Sequence, residues 1–101
     1  MKKITLANVS DYSWCEACKA GPFGKGDVPC VVRSRNEVQN WVSRKAAIKF
    51  YQKGALDCDG CEAERYGQIA DFLAAGCTDV TDGDEWTEQM NDIMKKLGFA
   101  A

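Results

Sequence analysis

The chain has 101 residues, of which 46% are hydrophobic and 28% charged, and these values are typical of one small globular domain. Its net charge is −2, whereas a general nucleic-acid-binding protein is normally basic, so direct nucleic-acid binding is not expected. No stretch approaches the ~18 apolar residues of a membrane helix, and the apolar run at the start is too short for a signal peptide. We therefore expect a cytoplasmic protein with no membrane partner.

The first half of the chain predicts strands and turns. Residues 3–9 alternate apolar and polar side chains, as a short strand does. Residues 20–29 hold three glycines and two prolines, which predict a loop. The stretches 28–33 and 37–42 flank a polar tetrapeptide, which predicts a β-hairpin. A competing interpretation takes Ser34 and Glu37 as a capping box that begins a helix at residue 35.

The second half predicts three helices, each with an apolar face and a start or stop signal. Ser43 offers a cap for the first helix, Asp59 with Glu62 a cap for the second, and Gly76 a stop for the second. The predicted helices cover 44–55, 61–75 and 84–97.

Strands followed by helices favour an α+β fold, in which a small N-terminal antiparallel β-sheet packs on three C-terminal helices. We expect a single domain over 1–101, with the strands and a Cys/Gly-rich arm in 1–42 and the helical part in 43–101.

Two Cys-x-x-Cys pairs form the most specific motif, Cys15 with Cys18 and Cys58 with Cys61. A structural Zn²⁺ takes four ligands, with Zn–S distances of about 2.3 Å. Since the chain has no histidine, such a site would consist of cysteine alone. The spacing between the pairs exceeds the usual ~15–20 residues. We predict a structural zinc held by Cys15, Cys18, Cys58 and Cys61 that joins the arm to the helical part.

The two remaining cysteines lie outside these pairs. Cys30 falls within a predicted strand and is expected to be buried there. Cys77 follows the Gly76 stop and is either a thiol of the capping region or a substitute zinc ligand.

The first pair also has a redox interpretation. The run from Trp14 to Lys19, Trp-Cys-Glu-Ala-Cys-Lys, resembles the thioredoxin signature. A thioredoxin fold places a helix and a strand between this motif and a Val-Pro pair, to which Val28-Pro29 is similar. Only ten residues separate Cys18 from Pro29 here, too few for a helix and a strand. A zinc knuckle suits the run better, because small residues after the second cysteine let backbone N–H groups turn toward the sulfurs. A thiol–disulfide redox protein using Cys15 and Cys18 is the alternative.

Acidic residues crowd the last third of the chain. They suit a solvated face that complements the dipole of the third helix at its N-terminus, or an anionic surface that occupies a basic groove on a partner. A second candidate surface is the stripe Lys45, Lys49 and Lys53. Catalysis is not expected, because no histidine, activated serine or phosphate-binding loop is present. The predicted partner-binding residues are Asp82, Asp84, Glu85, Glu88 and Asp92.

The stretch from Ser43 to Tyr51 (Ser-Arg-Lys-Ala-Ala-Ile-Lys-Phe-Tyr), followed by Glu64-Arg65-Tyr66, resembles a pattern of small Firmicutes phage and mobile-element proteins. The resemblance implies an accessory protein that binds a host protein, such as a nucleic-acid-binding defence nuclease that an acidic surface would inhibit. It also makes Phe50, Tyr51 and Tyr66 packing anchors of a helical hairpin. We therefore expect a zinc-stabilised, non-enzymatic protein-interaction module.

Overall fold

The computed structural model describes residues 14–35 and 37–97. The predicted strand over 3–9 lies outside the described residues. The predicted α+β class is confirmed, and within the described ranges no helix has both the length and the apolar composition to cross a membrane. The elements are β1 (Cys30–Ser34), β2 (Glu37–Trp41), α1 (Arg44–Asp57), α2 (Gly60–Ala75), β3 (Asp79–Thr81) and α3 (Glu88–Lys96).

β1 and β2 form the predicted antiparallel hairpin, with Cys30 opposite Trp41 and Ser34 opposite Glu37. Cys30 and Val32 are each 2% exposed, and the intervening side chains point away from the core, as the two-residue period of a strand requires. The hairpin is confirmed, and the alternative of a helix beginning at residue 35 is wrong.

The sheet is mixed, so the prediction of a purely antiparallel sheet is wrong at one edge. β3 lies beside β1 in parallel, and the strand order is β2-β1-β3. The Val31 N–H donates to the Thr78 carbonyl oxygen over 2.8 Å, and the Asp82 N–H donates to the Arg33 carbonyl oxygen over 3.2 Å. These bonds satisfy the free edge of β1. A strand of three residues is too short to show a pattern in the sequence.

Local capping signals set the boundaries of α1 and α2. The Ser43 hydroxyl accepts a hydrogen bond from the Ala46 N–H over 3.1 Å, which confirms the predicted cap of α1. Gly76 ends α2 with a φ of 126°, a conformation that favours glycine. Asp59 precedes α2, but its side chain makes no capping hydrogen bond.

The third helix begins four residues later than predicted, because Thr87 caps it. The Thr87 hydroxyl accepts from the Met90 N–H over 3.3 Å and donates to the Asp79 carbonyl oxygen over 2.7 Å. The residue that caps α3 therefore also contacts β3. The predicted helix start at residue 84 did not indicate this contact.

The core lies between the helix-facing side of the sheet and the three helices. Phe72, Leu73, Val80 and Met90 are completely enclosed, and the Phe72 ring lies 4.9 Å from the Trp86 ring between centroids. α1 and α2 pack as a helical hairpin. A Cβ at Gly54 of α1 would lie 2.9 Å from the Tyr66 ring of α2.

Candidate functional site

An open cleft of about 290 Å³ lies between the β-hairpin and the helical hairpin. Val32 and Ile69 form its buried floor, each at most 3% exposed. Phe50, Tyr51 and Tyr66 line its aromatic wall. The Tyr51 ring lies 5.1 Å from Phe50 and 5.8 Å from Tyr66 between centroids, which are favourable distances for aromatic pairs.

A hydrogen bond and ring packing hold the aromatic wall in place, and one of its rings, Phe50, faces solvent. The Tyr51 hydroxyl donates to Oε1 of Gln39 over 2.8 Å, and burial raises the pKa of Tyr51, so this donor keeps its proton. Trp41 packs against Phe50 and Tyr51, with ring centroids 5.3 Å and 5.8 Å apart, respectively. Phe50 is nevertheless 53% exposed. Phe50 is thus a packing anchor on one side, against Trp41 and Tyr51, while its other side is exposed in the part of the chain that the structure describes.

The cleft continues into two further grooves of about 310 and 350 Å³, and Arg65 and Asp82 line all three cavities. We call the cleft and its two continuations the acidic groove. Five carboxylates and two guanidinium groups line it, so its formal charge is negative. The charged lining residues are Glu37, Glu62, Glu64, Asp82, Asp84, Arg35 and Arg65.

The structure divides the five predicted partner-binding acids. Asp82 and Asp84 lie in the acidic groove. Glu85 is exposed in the loop before α3, and Glu88 lies in the first turn of α3. Asp92 lines a separate cavity of about 120 Å³ together with Lys25 and Lys96. The five acids do not share one face, and their joint role in partner binding stays a prediction.

Cys15 and Cys18 lie in a tight turn that brings a backbone donor onto a sulfur. The Cys15 N–H donates to the Ala20 carbonyl oxygen over 3.0 Å, and the Ala20 N–H donates back over 3.4 Å. Lys19 has a φ of 53°, which turns the chain. The Cys18 N–H then donates to Cys15 Sγ over 3.4 Å. We call residues 15–20 the knuckle. The N–H that reaches the sulfur belongs to Cys18 rather than to the small residues after it, and the zinc knuckle stays a prediction.

The two thiols of the knuckle are both exposed, and they differ in acidity. The hydrogen bond from the Cys18 N–H lowers the pKa of Cys15, whereas the hydrogen bond with Cys15 raises the pKa of the Cys18 thiol. Cys15 is therefore the sulfur that is more readily a thiolate, the form that binds metals and attacks disulfides.

The second cysteine pair lies at the other end of α1. Nζ of Lys45, in the first turn of α1, lies 2.6 Å from a carboxylate oxygen of Glu16, which places the knuckle beside that turn. Cys58 directly follows the last turn. A helix of 14 residues is about 20 Å long, so the two pairs are well separated.

Within 14–35 and 37–97, no group of three or more Cys, Asp or Glu side chains is arranged to hold a metal ion. Burial and then the Glu62 carboxylate raise the pKa of Cys58, which disfavours its thiolate. Cys61 is exposed at the start of α2. The four-cysteine zinc site stays a prediction. It would need the Cys/Gly-rich arm, which in the described chain is residues 14–29 before β1, to move toward the far end of α1.

Arg44 is a buried charge that sequence reasoning missed. It is 0% exposed, its Nη2 donates to the Lys25 carbonyl oxygen, and its guanidinium lies 4.9 Å from the centre of the Trp14 ring. Its Nε and Nη1 find no hydrogen-bond partner among residues 14–35 and 37–97, and burial lowers its pKa. Arg44 thus fastens the arm to α1, and no local pattern distinguishes it from a surface arginine.

The two remaining thiols lie in the core near Arg44. Burial raises the pKa of Cys30 to about 11 and that of Cys77 to about 12, so both stay protonated at neutral pH. The prediction that Cys30 is a buried strand residue is confirmed. The Cys77 N–H donates to the Phe72 carbonyl oxygen over 3.0 Å, so Cys77 is a thiol of the capping region.

Comparisons of the chain with models of protein families, with curated proteins and with solved structures find no match. Within the described residues, the acidic groove and the knuckle are two places where exposed chemical groups are held in a defined geometry.

Proposed function

We propose that this chain is a small non-enzymatic protein-interaction module that binds a segment of a partner protein in the acidic groove. The observation that carries the proposal is Phe50, which is 53% exposed in a wall whose neighbouring rings are packed in place. Aromatic residues are enriched at interfaces, because a ring that is already ordered gains buried area at little cost in conformational entropy.

The chemistry of the acidic groove selects the partner segment. Its cleft of about 290 Å³ offers Phe50 and Tyr66 as contacts for one bulky apolar side chain. Glu37, Glu62 and Asp82 stand around that cleft and attract lysine or arginine on either side of the anchor. The occupant is therefore an exposed protein segment with one aromatic or large aliphatic residue between basic residues.

The origin of the partner follows from the resemblance to phage and mobile-element proteins, which would make it a host protein. A nucleic-acid-binding defence factor suits the proposal, because basic segments line the grooves of such proteins. Asp82 and Asp84 are the two acids of the predicted surface that this mode of binding uses. Zinc, if bound, would have a structural role in the module.

The groove is tested with a fluorescein-labelled peptide that has one tryptophan between two pairs of lysines, measured by fluorescence anisotropy. We expect binding that weakens as sodium chloride rises, since exposed charges are screened beyond about 8–10 Å. Phe50→Ala and the double variant Glu62→Lys/Asp82→Lys should each weaken binding by about tenfold or more, as loss of a central interface contact does.

The matched control is Leu56→Ala. Leu56 is on the same helix and is 86% exposed, but it does not line the acidic groove, so its loss should leave the affinity unchanged. Equal weakening by Leu56→Ala and Phe50→Ala, or equal affinity for a peptide with glutamates in place of lysines, would refute binding in the groove.

Thiol–disulfide exchange at the knuckle is a second candidate, favoured by the lowered pKa of Cys15 beside the exposed Cys18 thiol. In that reaction the Cys15 thiolate attacks a substrate disulfide, and Cys18 then displaces the reduced substrate from the mixed disulfide. Residues 16–19 form a turn, so Cys15 lacks the helix N-terminus of the thioredoxin signature. Reduction of insulin disulfides that Cys15→Ser abolishes would favour this candidate over a purely binding role.

A further inference from the structure

We propose that Cys15 and Cys18 form half of a zinc site, which the same two residues of a second copy of the chain complete. The site would be a tetrahedral four-thiolate zinc on the two-fold axis of a homodimer. This inference does not rest on the acidic groove, because the knuckle and the groove share no residue.

The knuckle is already shaped as a two-sulfur clamp. Its backbone ring closes through the two hydrogen bonds between Cys15 and Ala20, and the Cys18 N–H points at Cys15 Sγ over 3.4 Å. Such N–H groups stabilise the charge that remains on a thiolate bound to Zn²⁺. Ligation therefore requires little reordering of the backbone, and each thiol releases its proton to solvent as it binds.

The clamp is incomplete within one chain. Structural zinc takes four protein ligands, the chain has no histidine, and residues 14–35 and 37–97 hold no group of three candidate ligands. The Cys58–Cys61 pair follows the last turn of α1, a helix about 20 Å long, whereas Glu16 of the knuckle contacts Lys45 in its first turn. A second knuckle supplies the two missing thiolates in the same geometry, which is the self-complementary contact that a two-fold dimer makes.

The surface of the knuckle permits this approach. All residues from 15 to 19 are exposed, so both sulfurs lie at the tip of a turn with no element above them in the described part of the chain. Two tips meeting across an axis can place four sulfurs around one ion without burying the rest of either chain.

The charge near the knuckle makes the dimer depend on the metal. The surface around each knuckle combines Lys19 with Lys45 and Lys49 of α1, which lie close to Glu16, and Asp27, which interacts with Lys45, so three lysines outnumber two carboxylates. A four-thiolate zinc centre has a net charge of −2, which the surrounding lysines offset. Without the metal, two such net positive surfaces repel each other.

The full chain, purified under reducing conditions and freed of metal, is titrated with Zn²⁺ and with Co²⁺ while its mass is followed by sedimentation. We expect saturation at half an ion per chain, a change from monomer to dimer at the same point, and the visible spectrum of four-thiolate cobalt. A chelator should return the protein to monomer.

Paired variants assign the ligands. Cys15→Ser/Cys18→Ser should abolish both metal uptake and dimerisation with an unchanged circular dichroism spectrum, because both residues are exposed outside the core. Cys58→Ser/Cys61→Ser is the matched control and should retain the half-ion stoichiometry and the dimer. Phe50→Ala should also dimerise normally, which separates failure here from failure of groove binding.

Several results would overturn the inference. One ion per chain in a monomer, lost also in Cys58→Ser/Cys61→Ser, would show the four cysteines of one chain acting together after all. Metal uptake without dimerisation, loss of the dimer in the control variant, or uptake well below half an ion per chain would each exclude the shared site.

Discussion

The two halves of α2 lie in contrasting environments. From Ile69 to Ala75, six of seven residues are buried, because β3, α3 and the arm surround this half. From Gly60 to Gln68 none is buried, because this half packs mainly on α1 and otherwise faces the acidic groove. One continuous helix thus holds the groove in place with its enclosed half, while its open half presents Glu62, Arg65 and Tyr66.

The largest expected difference between the halves is in packing energy. Phe72 is 0% exposed and contacts Trp86, so Phe72→Ala should lower the free energy of unfolding by about 3–5 kcal/mol. Tyr66→Ala, in the open half, should cost clearly less, since Tyr66 is only partly buried. Urea denaturation followed by tryptophan fluorescence measures both, and equal losses would mean that the halves do not differ in packing.

Two glycine substitutions also compare the halves of α2, with smaller expected changes in the free energy of unfolding. A Cβ at Gly21 would lie 2.5 Å from the Ala74 carbonyl oxygen, a backbone atom that cannot move alone, so Gly21→Ala should cost about 1–3 kcal/mol. Gly67 lies in the open half with nothing within 4 Å of its added Cβ. Gly67→Ala should therefore stabilise the protein by about 0.5–1 kcal/mol, as alanine does in a helix interior. Thermal unfolding of the two variants should shift in opposite directions; shifts in the same direction would show that the arm does not pack tightly on α2.

The last expected effect, similar in size to that of Gly21→Ala, concerns Asp71, the one residue of the enclosed half that is only partly buried. Burial raises the pKa of Asp71 to about 6. Since the unfolded chain releases this proton near pH 4, the folded state is penalised as pH rises from about 4 to about 6, and the penalty is constant above that. Asp71→Asn should remove it and stabilise the protein at pH 7 by about 1–2 kcal/mol, after allowance for solvent screening.

Unfolding free energies at pH 5 and pH 7 measure the Asp71 effect. The gain from Asp71→Asn should be larger at pH 7 than at pH 5, and Asp92→Asn, at an exposed position of α3, serves as the control. A gain in stability that does not change with pH would show that the carboxylate of Asp71 is well solvated. The enclosed half of α2 would then be more accessible to water than the low exposed fractions of its residues indicate.

Features that depend on neighbouring residues could be predicted from the sequence. The β-hairpin follows from the apolar start of β1, a polar turn and the β-forming residues Val38 and Trp41 of β2. The start of α1 follows from Ser43 and the end of α2 from Gly76. The turn at Cys15 and Cys18 is also local, although its positive-φ residue is Lys19 and its N–H donor to the sulfur is Cys18 itself, and neither feature follows from the small residues after Cys18. In each case the deciding interactions join residues a few positions apart.

Features that join distant parts of the chain could not be predicted, because they depend on tertiary packing. β3 exists because the edge of β1 accepts a strand almost fifty residues later, and Arg44 is buried because the arm folds over it. The acidic groove combines β1, β2, α1, α2 and the loop after β3, and the length of α1 sets the separation of the two cysteine pairs. No periodicity in the local sequence encodes these features. They arise from packing between elements whose order in space differs from their order in the sequence.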